Sequence, residues 1–265
     1  MVGLSPPWSG LSWFAPRLPP RVAEVAGRGA PAMLEELGQS PLRAAVLAVR
    51  PEAGRWLVAD QPAWPTALVG LPGGPVALSV EGNVELLRAP AVALVGTRHP
   101  TGTGRALARE YAAAVAEAGG VVVSGLAAGI DTEAHLGARG RTIAVLGQGL
   151  AVPMVAWQAA VRRRVLAEGG LVVSEFPPNL PADRWTFPRR NRVIAGLAAA
   201  VVVVEAGHRS GAKITAHLGA EYGREVVVVP GLPTLPSFAG CLDLLEEGAG
   251  IVRSAESVVS LLAAG

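Results

Sequence analysis

The sequence predicts an α/β protein with an extended Rossmann-like fold, in which helices flank a mostly parallel sheet and a small N-terminal helical appendage precedes it. Six short runs rich in Val, Leu, Ile and Ala recur with starts 22 to 29 residues apart. Helical spacing between the runs indicates that strands and helices alternate. The runs lack polar alternation, which is typical of parallel strands that are buried on both faces and joined by right-handed crossovers.

The predicted strands cover residues 92–95, 121–123, 143–146, 171–173, 200–204 and 226–229. Between the first two strands, Leu107, Tyr111, Val115 and Ala118 have helical spacing, and Gly119 is a typical C-terminal cap. In the tail, residues 241–262, apolar side chains at roughly helical spacing predict one or two closing helices.

The N-terminal part of the chain differs from the rest, because Pro16, Pro19, Pro20 and Pro31 interrupt short helical pieces. We therefore predict a small helical appendage over residues 1–60 and a Rossmann-like domain over residues 61–265. Residues 47–80 combine short apolar runs with Pro and Gly and are expected to form extended segments beside the sheet. A content of 51% hydrophobic and 17% charged residues excludes a disordered chain.

Membrane insertion, export and disulfide chemistry find no support in the sequence. The long uncharged runs, residues 63–80 and 143–161, are broken by Gly and Pro, so no transmembrane helix is predicted. Residues 1–16 carry no charged side chain and lack the basic start of a secretion signal, which predicts a cytoplasmic protein. Cys241 is the only cysteine, which excludes an internal disulfide and every thiolate zinc motif.

The positive charge is concentrated in the middle of the chain. Residues 1–90, 91–230 and 231–265 carry net charges of 0, +5 and −3, which gives the total of +2. The first predicted strand leads into Gly96, Thr97 and Arg98, followed by Arg105 and no acid before Glu110. Backbone amides at the start of the next helix, together with the arginines, predict an anion site. The alternative is that the glycines of this loop only form a tight turn.

The most informative segment of the chain is residues 187–192, Phe-Pro-Arg-Arg-Asn-Arg. Pro188 suits a helix start, which predicts that Arg189, Arg190 and Arg192 lie in the first turn, where cations oppose the helix dipole. A bound phosphate would offset that cost, and Phe187, Trp185 and Phe176 are candidate surfaces for base stacking. The alternative is a solvated charge cluster whose aromatic neighbours belong to the core.

A third loop repeats this combination after the predicted strand that ends near Glu205. Ser210 is a candidate N-cap, with Arg209 and Lys213 on either side of the helix start. Three loops at the carboxyl ends of parallel strands gather at one edge of the sheet, where ligands bind. Their combined positive charge suits a polyanion and predicts a nucleic-acid strand as the ligand. The cations concerned are Arg98, Arg105, Arg189, Arg190, Arg192, Arg209 and Lys213.

Dinucleotide binding and serine hydrolase chemistry are disfavoured. The pattern starting at Gly102 and Gly104 has Leu107 where a third small residue belongs, and the second strand ends in Ser124 instead of an acid for a ribose hydroxyl. There is no GxxxxGK[ST] loop, and Ser124 lacks the glycine spacing of a nucleophile elbow. We expect no cofactor.

Two further pairs of polar residues are candidates for a chemical site. Asp131 and His135 are four residues apart and would face one side of a helix near Glu133, but two ligands without a third make a poor metal site, and Asp131 is favoured as an N-cap. Glu205 and His208 would make an acid and base pair, yet nothing in the sequence orients them. No metal site and no catalytic residue is predicted.

Six blocks in the same order resemble the DNA-processing protein A family, called DprA or Smf, over about residues 65–260. That family binds single-stranded DNA during natural transformation, forms dimers and loads the RecA recombinase in homologous recombination. The resemblance implies these partners here, in a protein active after DNA uptake by competent cells. The blocks are VALVGTR (92–98), SGLAAGID (124–131), SEFPPN (174–179), FPRRNRVIAGL (187–197), VVEAGHRSGAKITA (203–216) and GREVVVVPG (223–231).

The resemblance also implies site residues, which agree with the argument from charge. Together the two lines predict a DNA-binding set of Gly96, Thr97, Arg98, Ser124, Gly125, Phe187, Arg189, Arg190, Asn191, Arg192, Ser210, Gly211 and Lys213. Leu242, Leu244 and Leu245 lie where the family dimerises. Thr103 and Lys213 depart from the family pattern. We expect no C-terminal winged helix of the kind that some members carry.

The predicted function is that of a non-enzymatic mediator that protects incoming single-stranded DNA and loads RecA. The main alternative is a nucleotide-binding Rossmann protein of the Lonely Guy group, acting as a phosphoribohydrolase or as a nucleotide sensor. That group carries a PGGxGTxxE motif, and the nearest segment here, residues 230–234, lacks the glutamate.

Overall fold

The structure is a computed structural model that describes residues 55–59 and 62–264, and these form one nine-stranded sheet with helices on both faces. The six strands predicted from the sequence are confirmed as β3 to β8, each within two residues of its expected bounds. The strands are β1 Arg55–Val58, β2 Ala77–Gly82, β3 Ala91–Gly96, β4 Val121–Ser124, β5 Thr142–Val145, β6 Leu171–Ser174, β7 Ala200–Glu205, β8 Glu225–Val228 and β9 Gly250–Ile251.

Strand order defines where a ligand would bind. The order is β1-β2-β6-β5-β4-β3-β7-β8-β9, in which the pairs β1–β2 and β2–β6 are antiparallel and the other six pairs are parallel. The chain winds outward in one direction from β3 to β6 and in the other from β7 to β9. The sheet therefore has a topological switch point between β3 and β7, where open α/β sheets place their ligands.

Seven α-helices connect and close the sheet in the described residues. The predicted first helix is confirmed, with Thr101 accepting a hydrogen bond from the Gly104 amide at its start and Gly119 adopting φ +83° after its end. The two closing helices of the tail are also confirmed. The helices are α1 Gly102–Glu117, α2 Ile130–Gly137, α3 Ala156–Ala167, α4 Thr186–Leu197, α5 Gly211–Glu221, α6 Ala239–Glu246 and α7 Ala255–Ser260.

The core lies on both faces of the parallel strands, as their unbroken apolar runs require. All six residues of β7 and all four of β4 are buried. Each Val side chain taken from water stabilises the fold by about 1.5 to 3 kcal/mol. Leu244 of α6 is part of this core, so it does not contribute to an exposed partner surface, while Leu242 and Leu245 are half-buried. None of the helices described is both long and apolar enough to cross a membrane.

The predicted N-terminal appendage lies almost entirely outside the described residues. Its last part is a strand, because Arg55–Val58 pairs antiparallel with β2. The sheet therefore begins before the predicted boundary at residue 60. Extended structure was expected over residues 47–80, and the described part of that stretch supplies β1 and most of β2 to the sheet itself.

Helix α4 begins earlier than predicted, at Thr186 instead of Pro188. Pro188 is the third helical residue, where its missing N–H costs nothing because the first amides of a helix have no partner within it. Arg190 and Arg192 consequently lie beyond the first turn, and Arg189, the fourth helical residue, lies at its edge. The predicted conflict with the helix dipole is therefore smaller than expected.

His135 on α2 is fully buried and both of its ring nitrogens are engaged. Its Nε2 accepts a hydrogen bond from the Leu126 amide at 3.2 Å, and its Nδ1 lies 2.7 Å from Thr142 Oγ1. The Thr142 hydroxyl donates to the Val122 carbonyl, so Nδ1 must donate to Thr142. These partners require the neutral ring, and burial lowers the pKa of His135 from 6.5 to about 3.

Asp131 on α2 has a different role from the predicted N-cap. Gly129 holds the cap position with φ +81°, where a side chain would overlap the Thr97 carbonyl oxygen. The Asp131 carboxylate instead accepts from the Gly125 amide at 3.1 Å, which folds the loop after β4 back onto α2. Within the described residues, no three His, Cys, Asp or Glu side chains gather as metal ligands would.

The buried His135 predicts a pH dependence of stability. Because its folded pKa is lowered, its contribution is fully present above pH 6.5 and is lost as the pH falls towards 3. We expect the free energy of unfolding to fall by about 2 kcal/mol between pH 7 and about pH 5 through this group. Denaturant unfolding of the native chain and of His135→Gln should show a shallower pH slope in the variant. Equal slopes would contradict the assignment.

Candidate nucleic-acid interface

A cleft of about 480 Å³ opens at the switch point between the carboxyl ends of β3 and β7. We call it the switch-point cleft. Its walls are the loop after β3, the loop after β7 and one face of α4. It contains eight of the thirteen predicted DNA-binding residues: Gly96, Thr97, Arg98, Phe187, Arg190, Asn191, Ser210 and Gly211.

The start of α1 does not form the anion site that the sequence suggested. The buried carboxylate of Glu205, at the end of β7, accepts from the Thr101 amide at 3.0 Å and from the Thr101 hydroxyl at 2.9 Å. The protein's own anion therefore occupies this helix N-terminus. Arg105 faces away from the cleft and pairs with Glu133 at 3.4 Å.

The start of α5 supplies an N-terminus to the cleft instead. Ser210 caps the helix by accepting from the Ala212 amide at 3.3 Å, and Ser210, Gly211 and Ala212 all line the cleft. The first amides of a helix attract anions, because they lack partners and the helix dipole is positive there. This end of the cleft is therefore suited to a phosphate group.

Two exposed arginines line the cleft from different loops. Arg98 follows β3 and Arg209 follows β7, and both line the cavity. The Arg98 guanidinium lies over the Phe187 ring, 5.5 Å from its centroid, in cation–π contact. Phe187 thus presents an aromatic ring beside a cation, the combination with which proteins bind both the base and the phosphate of a single strand.

Arg190 forms the floor of the cleft and is buried. Its guanidinium donates to the carbonyls of Gly125 and Val145 and, through Nε, to Asn191 Oδ1 at 3.1 Å. Burial lowers the pKa of Arg190 to about 10, and the Asp131 carboxylate opposes that shift, so the group stays protonated at neutral pH. A side chain at Gly125 would overlap this guanidinium. Gly125 therefore makes room for Arg190.

Arg189 and Arg192 lie outside the cleft, against Glu175. Arg192 is 5% exposed and donates to the Glu175 carboxylate and to the Gly73 carbonyl. The Arg189 guanidinium contacts the rings of both Phe176 and Trp185, and its Nε lies 3.8 Å from Glu175. Both arginines therefore have partners within the protein.

Lys213 also points away from the cleft, towards α6. Its ammonium lies 2.6 Å from Asp243 and 3.7 Å from Glu247. The hydrogen bond from Lys213 lowers the pKa of the Asp243 carboxyl, to which His208 also bonds at 2.7 Å. Glu205 and His208 are consequently engaged by separate partners and do not form an acid and base pair. Ser124 is fully buried beneath the cleft and donates to the Leu94 carbonyl at 2.6 Å.

Sequence reasoning missed the supporting residues of the cleft. Glu205 and Asp131 position the loops through backbone amides, and Ile194 and Thr215 complete the wall. A buried acid at the end of an apolar strand was a usable signal for Glu205, because such a group needs hydrogen-bond donors nearby. Ile194 and Thr215 carry no signal distinct from ordinary helix residues.

The chain matches the model of one protein family, described as DNA recombination-mediator protein A, over residues 55–263. A protein named Smf from Synechocystis sp. is 39% identical over 217 residues, 79% of this chain and 54% of its own length. Smf from Escherichia coli is 39% identical over 210 residues, 78% of this chain and 56% of its own. The chain spans about half the length of these two relatives.

Solved structures agree with these matches. DprA from Streptococcus pneumoniae superposes with a TM-score of 0.73 at 32% identity, covering 95% of this chain and 90% of that one. DNA processing protein A from Helicobacter pylori, whose structure concerns a single-stranded DNA binding mode, superposes with a TM-score of 0.72 at 27% identity, covering 79% and 96%. The matched domain contains the whole switch-point cleft, and the chain belongs to the DNA recombination-mediator protein A family.

Proposed function

We propose that this chain is a single-stranded-DNA-binding recombination mediator that protects incoming DNA and loads RecA in natural transformation. The observation that carries the proposal is the switch-point cleft, where exposed arginines, a helix N-terminus and an aromatic ring meet. The Helicobacter pylori relative, a protein described by its single-stranded DNA binding, supports the choice of ligand. The resemblance to DprA supports RecA and a second copy of the chain as partners.

A single strand suits this cleft better than a duplex. The cations and the α5 amides bind phosphates, which every sequence offers, and the Phe187 ring stacks on a base face, which a duplex hides within its own stack. Arg98 and Arg209 line the cleft from two different loops, so a strand in the cleft would meet a cation from each of them. We infer that binding is nearly independent of base sequence.

We further propose that the protein acts by binding and not by catalysis. The acid that lines the cleft, Asp131, accepts from the Gly125 amide, and His208, which also lines it, bonds to Asp243, so these two groups have separate structural partners. A second candidate function is the binding of a small nucleotide, because a cleft of about 480 Å³ with one helix N-terminus is large enough for one. Competition between a mononucleotide and a labelled oligonucleotide distinguishes small-nucleotide binding from single-strand binding.

Fluorescence anisotropy of a labelled oligonucleotide, measured across salt concentrations, tests the proposed function. We expect single strands to bind more tightly than duplexes, with a logarithmic salt slope of about −1.4 to −2.1, equivalent to two or three phosphates. A mononucleotide should displace the oligonucleotide only at far higher concentration. Absence of binding, or displacement by equimolar mononucleotide, would overturn the proposal.

The Arg98→Ala variant tests the assignment of a phosphate contact to this side chain. We expect it to weaken binding to all sequences about equally and to make the salt slope shallower by about 0.7, the value of one phosphate on a single strand. The matched control is Arg163→Ala, which removes an exposed cation on α3, outside the cleft residues. If the salt slope of Arg98→Ala equals that of the native chain, Arg98 does not contact a phosphate.

The Lys213→Ala variant tests whether a cation that lies near the cleft but is paired with carboxylates contributes to DNA binding. Because Asp243 and Glu247 already neutralise Lys213, we expect the salt slope to stay at its native value. The same anisotropy titration is the measurement, with Arg98→Ala as the positive control. A slope shallower by about 0.7 would show instead that Lys213 leaves its carboxylates for a phosphate.

A further inference from the structure

A second pairing of an aromatic ring with a cation lies beside the cleft. Trp185 is the N-cap residue of α4, two positions before Phe187, and its side chain is 48% exposed. The guanidinium of Arg189 lies over the indole, 5.4 Å from the ring centroid. The arrangement repeats that of Arg98 over Phe187 inside the cleft.

The Trp185 ring is held in place from within the protein. Phe176, 2% exposed, meets the indole edge to face at 5.7 Å with an interplanar angle of 84°. The Arg189 side chain, 15% exposed, is also 5.9 Å from the Phe176 centroid and close to the Glu175 carboxylate. An exposed indole supported in this way is preorganised and loses little conformational freedom when a ligand stacks on it.

The two pairs follow the carboxyl edge of the sheet. Phe187 packs beside Gly147, in the loop after β5, where a Cβ would lie 2.9 Å from the Phe187 ring. Trp185 packs on Phe176, in the loop after β6. Neighbouring strands are about 4.8 Å apart, so the second ring lies about one strand farther from the switch point.

We propose that Trp185 is a second nucleobase-stacking site, which receives a base of the strand as it leaves the switch-point cleft towards β6. This inference rests on the proposed function. The ligand class is any base of a single strand, since every base offers a π face and the indole edge makes no base-specific contact. Arg189 is a positioning residue here. Its guanidinium is buried beside Glu175 and packs on the Trp185 ring, so it orients the indole.

A length series of oligothymidylates tests the proposal by anisotropy. For oligonucleotides long enough to leave the cleft, Trp185→Ala should weaken binding about fivefold to a hundredfold, the effect of losing one stacked base. The salt slope should stay native, since no charge is removed. For a short oligonucleotide that fills only the cleft, affinity should be native, and Trp185→Phe should restore the affinity for long ones.

Intrinsic fluorescence supplies a second readout that does not depend on the stability of the alanine variant. Stacking of thymine on an exposed indole quenches its emission, so oligothymidylate should quench the native chain and much less the Trp185→Phe variant at equal saturation. Trp157→Phe is the matched control, because Trp157 is 45% exposed but lies in the first turn of α3, away from α4. Its quenching should remain native.

The outcomes separate this inference from the function on which it rests. If the native chain binds no single strand, the proposed function and the stacking site are both overturned. If it binds, and Trp185→Ala matches it at every length or Trp185→Phe retains the full quenching, the stacking site is overturned while the cleft assignment stands. Length-dependent loss in Trp185→Ala with rescue by Trp185→Phe supports the site.

Discussion

The shape of the cleft depends on the hydrogen bonds of one buried carboxylate, that of Glu205. It binds the amide and hydroxyl of Thr101, while the Glu205 carbonyl accepts from the Thr97 amide at 2.7 Å. One residue at the end of β7 thereby fixes both ends of the loop after β3. Burying a carboxylate is costly unless donors surround it, and the start of α1 provides them. The consequence for function is that α1 has no anion site to offer, which leaves the N-terminus of α5.

The fold was predictable from sequence because its determinants are local. Parallel strands buried on both faces leave apolar runs without polar alternation, and β3 to β8 were found on that signal alone. The antiparallel strands were less accessible. The segment 55–58 lies in a Pro-rich region, and its strand identity depends on pairing with β2, a partner whose position the local pattern does not reveal.

The candidate site was predictable only in part, because the direction of an arginine side chain depends on partners distant along the chain. Arg190 and Arg192 are two residues apart in sequence, yet Arg190 donates to the Gly125 and Val145 carbonyls below the cleft while Arg192 pairs with Glu175 outside it. The same holds for Lys213, which Asp243 holds from 30 residues away. A count of cations near strand ends therefore overstates the positive charge that faces a ligand.

This division of roles among the arginines decides how mutations should be interpreted. Removing one partner of a buried ion pair leaves an uncompensated charge and destabilises a protein by about 3 to 5 kcal/mol, a large share of total stability. Replacement of Arg192, the buried partner of Glu175, would thus lower any DNA binding by destabilising the domain, whether or not Arg192 touches a phosphate. The same holds for Arg190, because its loss would leave the buried Gly125 and Val145 carbonyls without their hydrogen bonds. Replacement of Arg98, which is exposed and, within the described residues, forms no ion pair, removes a charge from the cleft and the cation–π contact with Phe187 but breaks no buried ion pair. Loss of binding identifies a DNA contact only where the folded fraction of the variant is shown to be native.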